Sequence, residues 1–434
     1  MKNIARISIL ALLLVAACGG DDDDAANNGA NNGTNNGNNG NNGNNGANNG
    51  PNNGANNGVL PEGCDAFVAP SDDDQTAVQT ALIEAQDGQT VCLDEGTFTF
   101  HTEVSLSVDN VTVRGTGSDK TILDFTTQDT GGNGVAITSD GVTLEHLQVL
   151  NTPGDGIRAT DVDGITFRGV FVTWDSEDAT KHGAYGLYPV GSLRVLVEDC
   201  VVSGASDAGI YVGQSNQVIV RDSEAYANVA GIEIENTNDA DVYRNHSHDN
   251  TGGIAIFDLP ELAQQGTRSK VHDNLVENNN LPNFGKPGST VGQIPGGTGM
   301  FILSSDNNEV HDNRVIGNES VGLAIVSYAA IFGETEDTEF EPYPEANWIH
   351  DNTFENNGTN PQGIAAAATG ERPVPDILWD GCINPDLVNP TGAERNCLGD
   401  NGDATYLNLL LCGGESEPDE LACEGDPLPA IELD

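Results

Sequence analysis

Over much of its length the chain alternates aliphatic and polar residues in short runs, and the runs return at a fixed interval. A glycine followed by an aliphatic residue stands at Gly134-Val135, Gly156-Ile157, Gly186-Leu187, Gly209-Ile210, Gly231-Ile232, Gly253-Ile254, Gly299-Met300, Gly322-Leu323 and Gly363-Ile364. Several spacings are 22 or 23 residues, and the longer ones are one repeat plus an insertion. A second motif lies between them: Val197-Glu198-Asp199-Cys200, Val220-Arg221-Asp222-Ser223, Val242-Tyr243-Arg244-Asn245, Val271-His272-Asp273-Asn274, Val310-His311-Asp312-Asn313 and Ile349-His350-Asp351-Asn352. Self-similarity at this period predicts a solenoid. A leucine-rich repeat needs fixed leucines and a helical return. Here Val and Ile recur at period two between polar turns, which is strand chemistry. The pattern therefore predicts an all-β parallel β-helix whose coils stack about 4.8 Å apart.

The inward columns fit that architecture. Asn245, Asn274, Asn313 and Asn352 share one column, where stacked amides can satisfy each other and the turn backbone. Cys200 and Ser223 occupy the same column in earlier coils, so Cys200 reads as a small buried filler. Residues 71–88 carry a helical pattern, with Asp72–Asp74 ahead of Ala77, Leu82, Ile83 and Ala85. A helix there would cover the open first coil. The expected organisation is a signal peptide over 1–18, a linker over 19–58, an N-terminal cap over 59–105, the β-helix over 106–380 and a Cys-rich C-terminal cap over 381–434.

The N-terminus and the cysteines speak to location. Lys2 and Arg6 precede a short apolar run from Ile7 to Ala17, too short for an ordinary membrane span. The run ends Leu14-Val15-Ala16-Ala17-Cys18-Gly19, which resembles the lipobox of bacterial lipoproteins. The resemblance implies lipidation at Cys18 and an exported protein anchored at the cell surface or in the periplasm. Residues 25–58 repeat Asn-Asn-Gly, have almost no apolar side chains and read as a spacer. Six more cysteines, Cys64, Cys92, Cys382, Cys397, Cys412 and Cys423, lie at the two ends of the folded part and suggest three disulfides. Cys64–Cys92 is the natural first pair, and the last four allow three connectivities.

Charge narrows the partners. The net charge of −51 argues against nucleic acid and against anionic lipid for the body of the protein. Membrane contact is expected only through the N-terminal lipid. The excess suits a calcium-rich setting, and no other cofactor is indicated. A monomer is expected.

With these elements in place the chain resembles the right-handed β-helix repeat proteins of the pectate-lyase-like superfamily. The resemblance rests on the helix followed by Gly88-Gln89-Thr90-Val91 and Gly96-Thr97-Phe98, and on three runs. These are His182-Gly183-Ala184-Tyr185-Gly186-Leu187-Tyr188-Pro189, Ser206-Asp207-Ala208-Gly209-Ile210-Tyr211-Val212-Gly213-Gln214 and Ala230-Gly231-Ile232-Glu233-Ile234-Glu235-Asn236. It covers about residues 64–380. It implies lyases, hydrolases and epimerases acting on uronic-acid polymers, together with non-catalytic members.

The insertions point to a site. Trp174 to His182 and Leu281 to Gly297 enlarge the turn before the Gly186 and Gly299 strands. Leu259 to Arg268 and Tyr328 to Ala346 enlarge the turn after that strand. All four border one sheet and suggest walls around a groove about 19 Å long, open over the Gly209, Gly231 and Gly253 coils. Alternation places Arg158, Tyr188, Tyr211, Glu233, Ala255 and Phe301 outward on its floor, with Glu235 and Phe257 in the next column. Asp175, Asp178, Lys181 and His182 belong to the wall, and Asp207 to the turn before Tyr211.

These residue types suit a polysaccharide. Lyase or epimerase action on a uronate needs a cation at the carboxylate, a base and an acid. Lys181 or Arg158 suits the first role, His182 the second, and Tyr188 or Tyr211 the third. Such a set resembles the mannuronan epimerases, although their motif is not present. Asp207 and Glu233 are candidates for a hydrolytic pair. Arg158, Asp178, Glu235, Phe257 and Asp258 are candidate substrate contacts. Two function classes follow: an enzyme acting on an acidic polysaccharide, and a non-catalytic surface module that binds glycan or protein. On the next strand Glu145, Arg168, Glu198, Arg221, Tyr243, His272, His311 and His350 form an outward ladder of charges and rings, read as structural, with no metal assigned.

Overall fold

The computed structural model describes residues 60–370, 373–387, 395–412 and 425–433. The expected lipid anchor Cys18, the linker 19–58 and Cys423 lie outside the described residues. Three parallel sheets of 12, 11 and 10 strands run through the described residues, and the inner coils each contribute one strand to each sheet. The inward positions are aliphatic and stack in register. Val197, Val220, Val242, Val271, Val310 and Ile349 form one such column, all of them buried. Full burial of each contributes roughly 1.5–3 kcal/mol, so the columns supply most of the drive to stack.

The corners are held by asparagine. Asn245, Asn274, Asn313 and Asn352 form the expected column, and each accepts the backbone N–H of the preceding coil at 2.9–3.1 Å. Each amide also donates to a buried carbonyl one coil back, as Asn313 does to Val271 at 2.8 Å. Ser223 plays the same part for Cys200, whose thiol is buried and pushed up to about 12 by burial. The residue before each column member takes a left-handed turn, with φ between 51° and 54° at Asp199, Asp222, Arg244, Asp273, Asp312 and Asp351. Aspartate adopts that region readily because its short polar side chain can bond locally, which explains its recurrence. Two further ladders stand at the other corners: Asn228, Asn250, Asn279, Asn318 and Asn357, and Asn308, Asn347 and Asn396.

Helix α1 spans Asp74–Glu84, and Asp73 caps it by accepting the Thr76 N–H. Its buried face is Val78 and Leu82, while Ile83, expected inside, is 67% exposed. The solenoid is longer at both ends than the repeat suggested. Ala66–Val68 and Thr90–Leu93 already pair in the 12-stranded sheet, and Cys397–Leu398 and Tyr406–Asn408 extend two sheets beyond residue 380. Gly363-Ile364 is not a coil strand. It opens α2, Gly363–Thr369, because the four alanines that follow favour helix, and the strand of that coil is Ile377–Trp379. Disulfides join Cys64 to Cys92 and Cys382 to Cys412, and Cys397 is also disulfide-bonded.

The outward ladder on the 12-stranded sheet alternates charge and then ring. Arg114, Glu145, Arg168, Glu198 and Arg221 pair in sequence at 2.5–3.3 Å. Burial pulls the Glu145 and Glu198 carboxyls up, but the guanidiniums prevail and hold both below the usual range. Tyr243, His272, His311 and His350 continue the row with rings stacked 4.8–5.0 Å apart.

Candidate functional site

The 11-stranded sheet carries the candidate site on its outer face. Strands Ile157–Thr160, Tyr185–Val190, Ala208–Gly213, Ala230–Glu235, Gly252–Phe257 and Thr298–Leu303 lie side by side. Register pairs Arg158 with Tyr188, Tyr211 with Glu233, Glu233 with Ala255 and Ala255 with Phe301. Glu235 pairs with Gly213 and with Phe257 in the adjoining column.

Three tyrosine rings form the centre. Tyr185, Tyr188 and Tyr211 have ring centroids 4.5–4.8 Å apart. The Arg158 guanidinium stands 5.0 Å over the Tyr188 ring. The Tyr211 hydroxyl donates to Glu235, which requires its ring to lie along the strand over Gly213. A Cβ at Gly213 would fall 2.4 Å from the Tyr211 oxygen, so only glycine leaves room for this pose.

Four carboxyls surround the rings. Asp155 is pushed up to about 6 by burial, against the pull of Arg158 and the Tyr185 N–H. Asp207 is pushed well up by burial and by the charges of Glu235 and Asp155, against the pull of the nearby Tyr185 hydroxyl. Glu235 rises to about 7 through burial. Glu233 is 3% exposed, no hydrogen bond to its carboxyl is found among the described residues, and burial with Asp207 and Glu235 nearby drives that carboxyl well up. The same surroundings raise Tyr185 and Tyr211 well above 10 and Tyr188 to about 12, burial leading in each case. At neutral pH the tyrosines are proton donors, and the carboxyls divide between ionised and protonated forms.

The insertions do not stand as walls around an open floor. The segment 281–297 folds back over the coils it was expected to leave bare: Phe284, Val291 and Ile294 pack on Ala208, Tyr211, Val229 and Ala230. The driving force is apolar burial, since three aliphatic or aromatic side chains of the loop find an apolar stripe beside the tyrosines. The segments 259–268 and 328–346 join each other instead, through Gln265 and Glu341 at 2.8 and 3.0 Å.

Of the residues expected to act, Arg158, Tyr188, Tyr211, Asp207, Glu233 and Glu235 come together. The others sit elsewhere. His182 does not serve as a free base: its two ring nitrogens face the carbonyls of Gly204 at 2.6 Å and Ser176 at 2.8 Å, and its ring stacks on Trp174. It pins the insertion. Asp178 caps the turn Ala179–Lys181 by accepting from Thr180, and Lys181 is exposed on that turn. Phe257 is no stacking platform, because it is buried against Leu303 and neighbours from Tyr328–Phe332. Asp258 is buried too. Both its carboxylate oxygens accept the Gly266 N–H at 3.0 Å, and burial pushes it up to about 8.

Tyr185 and Asp155 escaped the sequence reading. Each immediately precedes a Gly–aliphatic pair, where the turn ends and strict alternation does not yet apply. The position before each repeated glycine was the available signal.

The model of the family described as right handed beta helix region matches residues 109–259 and 178–335, together more than half of the chain. The chain is a right-handed β-helix protein. No curated protein matches this β-helix protein at the sequence level. The A-module of a mannuronan C-5 epimerase of Azotobacter vinelandii superposes with a TM-score of 0.52 at 15% identity, over 81% of this chain and 94% of that one. An alginate lyase of a Paenibacillus species superposes with a TM-score of 0.44 at 15% identity, over 68% and 97%. At these identities the likeness is one of fold.

Proposed function

We propose that this β-helix protein is an exported, lipid-anchored surface protein that binds an extracellular polysaccharide at the tyrosine cluster and acts on it by acid–base chemistry. One observation carries the reading: Asp155 and Asp207 lie on either side of the tyrosine cluster, and burial raises Asp155 to about 6 and, with the charges of Glu235 and Asp155, raises Asp207 as well. Two carboxyls whose environments separate them in this way are the signature of an acid and a base in one site. At neutral pH Asp207 keeps its proton and serves as the acid, while Asp155 is largely ionised and serves as the base. Tyr185 and Tyr188 offer ring faces for a sugar and hydroxyls for its oxygens. The epimerase among its fold relatives is named for mannuronan. For a uronate of that kind Arg158 is the cation at hand for the carboxylate, Asp155 the base and Tyr188 the acid. For a neutral glycan the pair works by hydrolysis.

The second reading, a binder without catalysis, is favoured by the cover of Phe284, Val291 and Ile294, which leaves the half-buried Tyr185 and Tyr188 as the contact surface.

The test incubates the full chain with neutral and uronic-acid polysaccharides, with and without calcium, and follows both reducing ends and the ultraviolet absorbance of unsaturated uronates. One polymer is expected to give product, with a bell-shaped pH profile whose acidic limb lies near about 6, set by Asp155, and whose alkaline limb, set by Asp207, lies above it. Asp155→Asn and Asp207→Asn should each lower the rate by roughly 100-fold or more. Variants that leave the rate unchanged reject this site, and no product from any polymer, with the proton NMR spectrum of the uronates also unchanged, rejects catalysis.

A further inference from the structure

The 10-stranded sheet carries a second constellation, distinct from the tyrosine cluster. Strands Glu224–Tyr226, His246–His248 and Leu275–Glu277 are neighbours, and register pairs Glu224 with His246 and His248 with Glu277. Because side chains alternate, His246 and His248 point outward together while Ser247 is buried between them. Their rings lie 4.0 Å apart, centroid to centroid. The contacts run diagonally. His248 Nε2 lies 3.0 Å from Glu224, and His246 Nε2 lies 3.0 Å from Glu277. The ligand atoms of Glu224, His246 and His248 all lie within 4.8 Å of one another.

We propose that Glu224, His246 and His248, with Glu277 as a fourth donor, bind one zinc ion. Two imidazoles and one or two carboxylates are a borderline-soft donor set that suits zinc better than calcium or magnesium. One feature beyond the donor spacing fits a bound ion. Asp249 lies 2.8 Å from Nδ1 of His248, which holds that nitrogen as the donor and turns Nε2 toward the site, the usual outer-shell arrangement around a metal-bound histidine. The same aspartate contact recurs at His272, His311 and His350, so it is the donor spacing that singles this site out. The stacked histidines of the other ladder differ: His272, His311 and His350 each stand on a separate strand with a single side chain in the row, so no two come from one strand. The strands already hold both rings in place, so little ordering is required, and His246 and Glu224 are open enough for an ion to enter, with side-chain exposures of 37% and 43%.

The test titrates zinc alone into the full chain after treatment with a chelator, by calorimetry, with cobalt in parallel for its visible absorption. One ion per chain is expected, with intense tetrahedral cobalt bands. His246→Gln combined with His248→Gln should abolish both signals. Asp249→Asn should weaken binding by about 10- to 100-fold. His272→Gln with His311→Gln should change neither, and circular dichroism reports whether each variant keeps its sheets. No stoichiometric zinc, or zinc retained by the folded His246/His248 double variant, overturns the proposal.

Discussion

Replacing Asn313 by leucine is expected to destabilise the solenoid by roughly 3–5 kcal/mol, seen as a fall in the midpoint of denaturant unfolding. Asn313 Oδ1 accepts the Asn274 backbone N–H at 3.1 Å and the Asn274 amide at 2.9 Å, and its own amide donates to the Val271 carbonyl at 2.8 Å. All of these groups are buried. Leucine has a similar branched shape but is larger and offers neither donor nor acceptor, so each group is left dry and unpaired at a cost of about 1–3 kcal/mol. Asn313→Ser is the informative control. Ser223 in the same column accepts the Cys200 N–H at 3.1 Å, so serine keeps the backbone contact and should cost less than leucine. Equal losses for serine and leucine would mean that shape, rather than hydrogen bonding, holds the corner.

The second large effect is a loss of stability as pH rises from about 5 to about 9. Burial pushes Asp155 up to about 6, Glu235 and Asp306 up to about 7 and Asp258 up to about 8, and it raises Asp207 in the same sense. An acid raised in the folded state holds its proton more tightly there than in the unfolded chain. Folding is therefore unpenalised below the ordinary carboxyl value near 4, and stability drains away as pH climbs through the folded value. Asp258 alone, raised from 3.8 to about 8 and 1% exposed, accounts for a loss on the order of 5 kcal/mol at the alkaline end. Glu145 and Glu198, held low by arginine, act in the opposite sense but below that window. Thermal melts at pH 5, 7 and 9 should fall steadily, and Asp258→Asn should flatten the trend. A melting temperature that rises toward pH 9 would contradict the buried-acid account.

The fold was legible because it is a repeat. The spacing of Val220, Val242 and Val271 and the asparagines behind them reports strand, corner and stacking direction together. The other two ladders were equally visible. Asn228, Asn250, Asn279, Asn318 and Asn357 each fall five residues after a member of the first column, and Asn308, Asn347 and Asn396 five residues before one. The ends were harder. Coils near Cys397 and Tyr406 lack the Gly–aliphatic mark and pair through short strands of two and three residues.

The site was legible where alternation governs and opaque where loops do. Arg158, Tyr188, Tyr211, Glu233 and Glu235 lie on strands, and period two placed them. His182 lies in an insertion, and nothing local says that both of its nitrogens will meet backbone carbonyls from Ser176 and Gly204. The return of 281–297 over Tyr211 depends on Phe284, Val291 and Ile294 finding an apolar stripe several coils away, a tertiary fact with no periodic signal.

The most direct test of the proposed glycan binding at the tyrosine cluster is affinity electrophoresis of the full chain through gels containing each polysaccharide of the panel. Retardation by at least one polymer is predicted, abolished by Tyr188→Ala and by Tyr185→Ala but preserved in His272→Gln on the opposite ladder. Free migration through every polymer, or retardation that both tyrosine variants retain, would contradict it.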